Sequence, residues 1–287
     1  MSSVHFLDRP GEPRLAWWLD APRGPARGKV LLIHGYADHS ARFDHVVRVW
    51  NEHGLVVGRF DLRGHGLSDG ARGYVTKVSE YVSDAQAAVD ALGREPTWTA
   101  APGKPVIFGH SLGGLVASKL AIAMGDRIAG LACTSPFFGL KNMPPRVLLA
   151  GARFARKVFP KWRQSSGLSG SDMTHDAELA RQYDKDPLRF GHITAGFLLA
   201  VLEEQTEILA RARDLSGPLY CIVAGEDRVV SNAATERFFQ RVGSRDKELV
   251  VRPGLFHELL NEPDWRDHAS RLAERMVRWS AGEAGRA

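Results

Sequence analysis

Cysteine is scarce: the 287 residues contain two, Cys133 and Cys221. Each lies inside an apolar, strand-like run, so both read as small core residues and not as a disulfide framework or metal site. No H-x-x-x-H pair and no phosphate-cradling P-loop is present, and no metal or organic cofactor is expected. No stretch approaches the roughly eighteen consecutive apolar residues that a membrane-spanning helix needs. The first ten residues carry His5, Asp8 and Arg9 and no long apolar run, so no signal peptide is expected and a cytoplasmic location follows. Acid is locally absent too: no Asp or Glu occurs between Gly130 and Ser171, in a chain of net charge +5. The hydrophobic content of 44% is ordinary for a globular protein with a real core.

What the chain does contain is organised around Phe108-Gly109-His110-Ser111-Leu112-Gly113-Gly114. An apolar run, 105–108, precedes it and a helix-favouring run, 115–121, follows it. Strand, glycine-bracketed serine and helix in that order are the context of a G-x-S-x-G nucleophile elbow. A serine hydroxyl is a poor nucleophile unless it is exposed, aimed and placed beside a base. A sharp turn at a strand end supplies the exposure, and the following helix aims its first N–H groups at the place where an oxyanion would form.

Short apolar runs at 15–19, 29–33, 55–60, 128–134, 219–224 and 248–251 read as further strands. Helical spacing marks 43–53, 78–92 and 265–279. Strands alternating with helices predict an α/β fold with a mostly parallel central sheet covered on both faces. Ligands then bind at the carboxyl ends of the strands. The segment 137–214 breaks the alternation, has no convincing strand and is punctuated by Pro144, Pro145, Pro160 and Pro187. It reads as a helical cap inserted after a core strand, with the core formed by 1–136 and 215–287.

A serine nucleophile needs a base and an orienting acid, sought in loops after later strands in the order Ser, Asp or Glu, His. Asp227 follows the strand ending at Ala224, and His257 follows the strand ending at Val251. Asp227 is preferred to its neighbour Glu226 on motif position alone. The only other histidine after that strand, His268, falls in the closing helix. The oxyanion hole is expected from two backbone N–H groups, that of Leu112 and one from the loop after Ile33, taken as Tyr36. His34 and His110 read as packed structural histidines, and Asp61, Arg63 and His65 as a loop-stabilising cluster.

Between Lys141 and Arg163 stand seven Lys or Arg residues and no acid. Apolar residues at helical spacing run through the same stretch. Two roles fit: a lid helix whose apolar face lines the pocket or packs on the sheet, or a helix lying on an anionic membrane. No aromatic interleaving or known motif points to nucleic acid.

The loops His34 to Phe43, Asp61 to Gly70, Arg72-Gly73-Tyr74-Val75, Asp186-Pro187-Leu188, Gly225 to Asp227 and His257-Glu258 resemble those of the monoacylglycerol lipase and lysophospholipase family of α/β-hydrolases. The resemblance implies a helical cap over an apolar acyl tunnel and hydrolysis of single-chain glycerol esters. It also implies head-group roles for Asp38 and Arg42. Two departures bear on the head group. Ala37 and Asp38 stand where the family usually has glycine and glutamate. Glu258-Leu259-Leu260-Asn261 lacks the second histidine that some members carry. Lysophospholipase, general carboxylesterase, acyltransferase and non-catalytic lipid-binding roles are the alternatives, and the sequence leaves the oligomeric state open.

Overall fold

The buried apolar runs pair side by side into one sheet in a computed structural model that describes residues 2–283. The chain opens with a hairpin of β1 (His5–Arg9) and β2 (Glu12–Asp20). Next come β3 (Gly28–Ile33), α1 (Asp44–Glu52), β4 (Leu55–Phe60), α2 (Ser79–Leu92) and the short α3 (Pro96–Ala100). Then follow β5 (Val106–His110), α4 (Leu112–Met124) and β6 (Gly130–Thr134). The stretch after β6 holds α5 (Arg146–Val158), β7 (Arg163–Ser165), α6 (Ala177–Lys185), β8 (His192–Thr194) and α7 (Ala195–Ala210). The chain returns with β9 (Leu219–Ala224), α8 (Asn232–Arg241), β10 (Lys247–Arg252) and α9 (Trp265–Ser280).

The eight-stranded sheet has the order β1-β2-β4-β3-β5-β6-β9-β10. From β4 to β10 all neighbours are parallel, and only the β1–β2 end is antiparallel. Helices cover both faces. Val46 and Trp50 of α1 and Leu272 and Met276 of α9 form one apolar layer. Leu92 of α2, Leu115 of α4, Phe197 of α7 and Phe238 of α8 belong to the other. Every residue of β3, β4, β5, β6 and β9 is buried, which is why these strands are continuously apolar and do not alternate.

The segment 137–214 contains strands after all. β7 and β8 form a two-stranded antiparallel sheet with Gln164 opposite Ile193. Three residues each, with all of β7 exposed, leave no hydrophobic period to read. The two further elements without a sequence signal are β1, half-exposed at the sheet edge, and α8, which buries only Ala234, Thr235 and Phe238.

The elbow depends on close backbone approach. Ser111 has φ 53° and ψ −119°, a strained conformation for a side-chain-bearing residue. A Cβ on Gly113 would overlap the Ile33 and His34 carbonyl oxygens, and one on Gly109 would overlap the Gly113 carbonyl. Glycine at these two places lets α4 pack directly on the ends of β3 and β5. The obstructing atoms are backbone and cannot rotate away, so Gly113→Ala is expected to cost about 3 kcal/mol, the upper end for overpacking. The denaturant midpoint of the variant measures this, and an unchanged midpoint contradicts the close-approach account.

Candidate active site

Three loops at the carboxyl ends of parallel strands converge. His257 Nε2 lies 3.0 Å from Ser111 Oγ, and His257 Nδ1 lies 2.8 Å from Asp227 Oδ2. The other Asp227 oxygen accepts the N–H groups of Val229 and Val230, both at 2.8 Å. The acid is thereby fixed by its own turn. Burial pushes the His257 imidazole towards the neutral form, but the charge and hydrogen bond of Asp227, helped by Glu258 and Asp38, outweigh it and leave the pKa raised. Burial likewise raises the Asp227 carboxyl, and His257 with the two turn N–H groups more than reverses this. Glu226, the competing acid, makes no hydrogen bond to His257 among the described residues.

Neither the Leu112 nor the Tyr36 N–H donates to an acceptor within the described chain. Leu112 is the first residue of α4, where such N–H groups lack an intrahelical partner. The loop of Tyr36 is anchored by its side chain: the ring stacks on Phe197 at 3.8 Å, and the hydroxyl lies 3.0 Å from the Gly73 carbonyl and 3.1 Å from that of His192. The adjoining Ala37 takes φ 56°, the left-handed region that the family's usual glycine adopts without strain.

The other histidines nearby are committed elsewhere. His34 Nδ1 donates to the Gly35 carbonyl at 2.7 Å, and Nε2 accepts the Leu62 N–H at 3.0 Å. His110 pairs through Nδ1 with Thr134 Oγ1 at 3.1 Å; burial, then the nearby His257, lowers its pKa to about 4. Asp61 accepts the N–H groups of Ser40 and Leu67, each at 2.8 Å. Arg63 is bidentate on Asp84 at 2.7 and 2.6 Å, and His65 Nδ1 donates to the Arg63 carbonyl. These groups hold loops.

Asp38 and Arg42 lie in different layers. Asp38 lines the cavity above Ser111, whereas Arg42 sits behind it. The Arg42 guanidinium is bidentate on Glu258 at 2.9 and 2.7 Å, reaches Asp38 at 3.2 Å and lies 4.9 Å from the Tyr183 ring centroid. Burial raises the Glu258 carboxyl, but Arg42 dominates and holds its pKa at about 2. Asn261 adds a donor to Glu258 at 2.7 Å. Glu258 and Tyr183 line the cavity and were not singled out by sequence reasoning. For Glu258 a signal was available, its place directly after His257; Tyr183, in α6, carried none.

The cavity has a volume of about 380 Å³. Phe137, Leu140, Met173, Ile193, Phe197 and Val229 give it an apolar wall, and Asp38, Asp184, Asp186 and Glu258 an acceptor-rich one. Among the described residues no group of three or more His, Cys, Asp or Glu could hold a metal ion. No described helix is long and apolar enough to cross a membrane.

A model of the serine aminopeptidase S33 family of hydrolases matches residues 24–264. The chain belongs to this family. It is 30% identical over 264 residues to a monoacylglycerol lipase of Mycolicibacterium smegmatis, spanning 91% of this chain and 92% of that one. It is 27% identical over 241 residues to a phospholipase of Bacillus subtilis, spanning 83% and 90%. The crystal structure of a monoacylglycerol lipase from Paleococcus ferrophilus superposes with a TM-score of 0.81 at 27% identity, covering 92% of this chain and 99% of that one. The fold is the α/β-hydrolase fold, and the resemblance seen in the loop motifs extends across the chain.

Removing Arg42 leaves the Glu258 carboxylate buried without its cation. Arg42→Ala is expected to lower stability by about 3–5 kcal/mol at neutral pH. The sign with pH follows from the lowered Glu258 pKa: the ion pair stabilises the fold above the ordinary carboxylate range and ceases to do so as pH falls through about 2. The gap between wild type and variant should therefore narrow in acid, as measured by unfolding midpoints across pH. A gap independent of pH would contradict the ion-pair account.

Proposed function

We propose that the protein is a serine hydrolase that cleaves carboxylic esters of single-chain lipids, with monoacylglycerol as the preferred substrate. The observation that carries this is the hydrogen-bonded line Asp227–His257–Ser111 ending in a cavity with one apolar and one acceptor-rich wall. Ser111 Oγ attacks the ester carbonyl while His257 Nε2 takes its proton. Asp227 holds the tautomer that leaves Nε2 free to accept and stabilises the imidazolium. The N–H groups of Leu112 and Tyr36 receive the oxyanion. His257 then protonates the departing alcohol, and a water deprotonated by His257 releases the fatty acid from Ser111.

The walls of the cavity support the choice of substrate. An acyl chain fits against Phe197, Ile193 and Val229. The hydroxyls of a neutral glycerol can donate to Asp38 and Glu258, whereas a phosphate would meet carboxylates there. Arg42 acts from behind by fixing both acceptors. The segment 137–214 serves as the cap over this cavity, to which it contributes Met173, Tyr183, Ile193 and Phe197. Similarity to a phospholipase supports lysophospholipid hydrolysis as the second reading.

Fatty-acid release from monoacylglycerol, lysophosphatidylcholine and a short-chain ester, measured in parallel, tests the proposal. Ser111→Ala is expected to abolish release from all three, and wild type to prefer monoacylglycerol. Preference for lysophosphatidylcholine would transfer the assignment to the second reading, and serine-independent release would remove the mechanism. The pH profile supplies a further check. The base works as neutral imidazole, and its pKa is raised, so kcat/KM should climb with pH through a value above the ordinary histidine range. Glu258→Gln deletes one of the carboxylates that raise it and is expected to move that limb to lower pH. An unmoved limb would show that Glu258 does not act on His257.

A further inference from the structure

The apolar face of α5 has no partner in the fold. Val147 is 85% exposed, Phe154 69%, Phe159 67% and Trp162 66%, and the single buried residue of the helix is Ala155. This removes the expectation that the face packs on the sheet or lines the cavity. Val147, Gly151, Phe154 and Val158 recur at spacings of four, three and four, which puts them on one stripe. Arg146, Arg153 and Lys157 each stand one residue earlier than a member of that stripe and form an adjoining basic strip. The buried flank meets α7, where Arg156 pairs with Glu203 at 2.6 Å. Of the seven cations between Lys141 and Arg163, Arg156 is the one with a carboxylate partner among the described residues.

We propose that this surface docks on an anionic lipid bilayer, with α5 lying in the plane of the interface. Phe154, Phe159 and Trp162 would enter the acyl boundary, while Arg146, Arg153 and Lys157 reach back to lipid phosphates along their aliphatic stems. Charge complementarity selects the occupant: an unbroken cationic strip beside exposed aromatic residues matches negative head groups over hydrocarbon. Position fits as well. Ser165, Ser166 and Leu168, just beyond Trp162, line the cavity, so the docked surface runs into its rim. The proposal deepens the lipid-ester reading by naming the surface from which substrate is drawn, but binding itself does not depend on turnover.

Cosedimentation with vesicles tests it, using phosphatidylcholine alone or with about one-third phosphatidylglycerol. The expected result is binding to the anionic vesicles about tenfold or more tighter than to the neutral ones, weakening as salt is added. The triple variant Arg146→Glu, Arg153→Glu, Lys157→Glu should lose about tenfold or more of the anionic binding. It should still hydrolyse a soluble short-chain ester at the wild-type rate, because none of the three residues lines the cavity. Phe154→Ser with Trp162→Ser should reduce retention on the same vesicles without altering the soluble assay. Equal binding to both vesicle types, or to neither, overturns the proposal. So does charge-dependent binding to duplex DNA without vesicle binding, which would make the strip a nucleic-acid surface. Wild type that sediments with anionic vesicles but cleaves no ester would leave docking intact and overturn the proposed activity instead.

Discussion

The crossing of α4 over the ends of β3 and β5, with no side chain between them, is the constraint on which the site rests. Glycine at 109 and 113 allows carbonyl groups of neighbouring elements to approach within the space a Cβ would fill. That approach holds Ser111 at positive φ, at a cost on the order of 1–3 kcal/mol, and sets the N–H of Leu112 beside it. Ala37 and Ser135, at the ends of the flanking strands β3 and β6, also have positive φ. Three strained residues thus stand on three adjacent strand ends around one cavity, held there by the buried apolar layers on both sheet faces.

Charge organises what lies behind the cavity wall. Arg42 joins the loop after β3, the loop after β10 and helix α6 through Asp38, Glu258 and Tyr183. Two more pairs bracket that helix: His175 with Glu262 at 3.0 Å before it, and His39 with Asp186 at 2.8 Å after it. The segment around α6 is therefore bolted to the loop of His257. Helix α5 has no comparable anchors and meets the rest through Ala155 and one exposed ion pair. One stretch of chain between β6 and β9 thus contains a rigid rim and a loosely attached surface helix.

Legibility in the sequence followed the range of the interaction. The buried strands announce themselves because Val, Ile and Leu fill both faces of a parallel sheet, and the elbow because glycine and serine spacing is local. Asp227 and His257 could be named because topology sends functional loops to strand ends. β1 escaped notice since its edge position leaves His5, Phe6 and Asp8 exposed, and β7 because none of its three residues is buried. The Arg42–Glu258 pair spans 216 positions and has no periodic signature. The apolar period of α5 was visible, but its outward orientation depends on which flank α7 occupies, and only tertiary packing decides that.

Ser111 and His257 are separated by 146 positions, and β9 joins β6 only after the whole segment 137–214 has been made. A ribosome therefore releases the elbow long before the imidazole that could activate it. During that interval the serine is an ordinary alcohol, and the emerging chain cannot attack lipids around it. The same order leaves β6 as an open edge of a fully buried sheet until β9 arrives, an invitation to pair with another nascent chain. Chemical safety during synthesis and exposure to aggregation have one origin here, the late arrival of the final third of the chain.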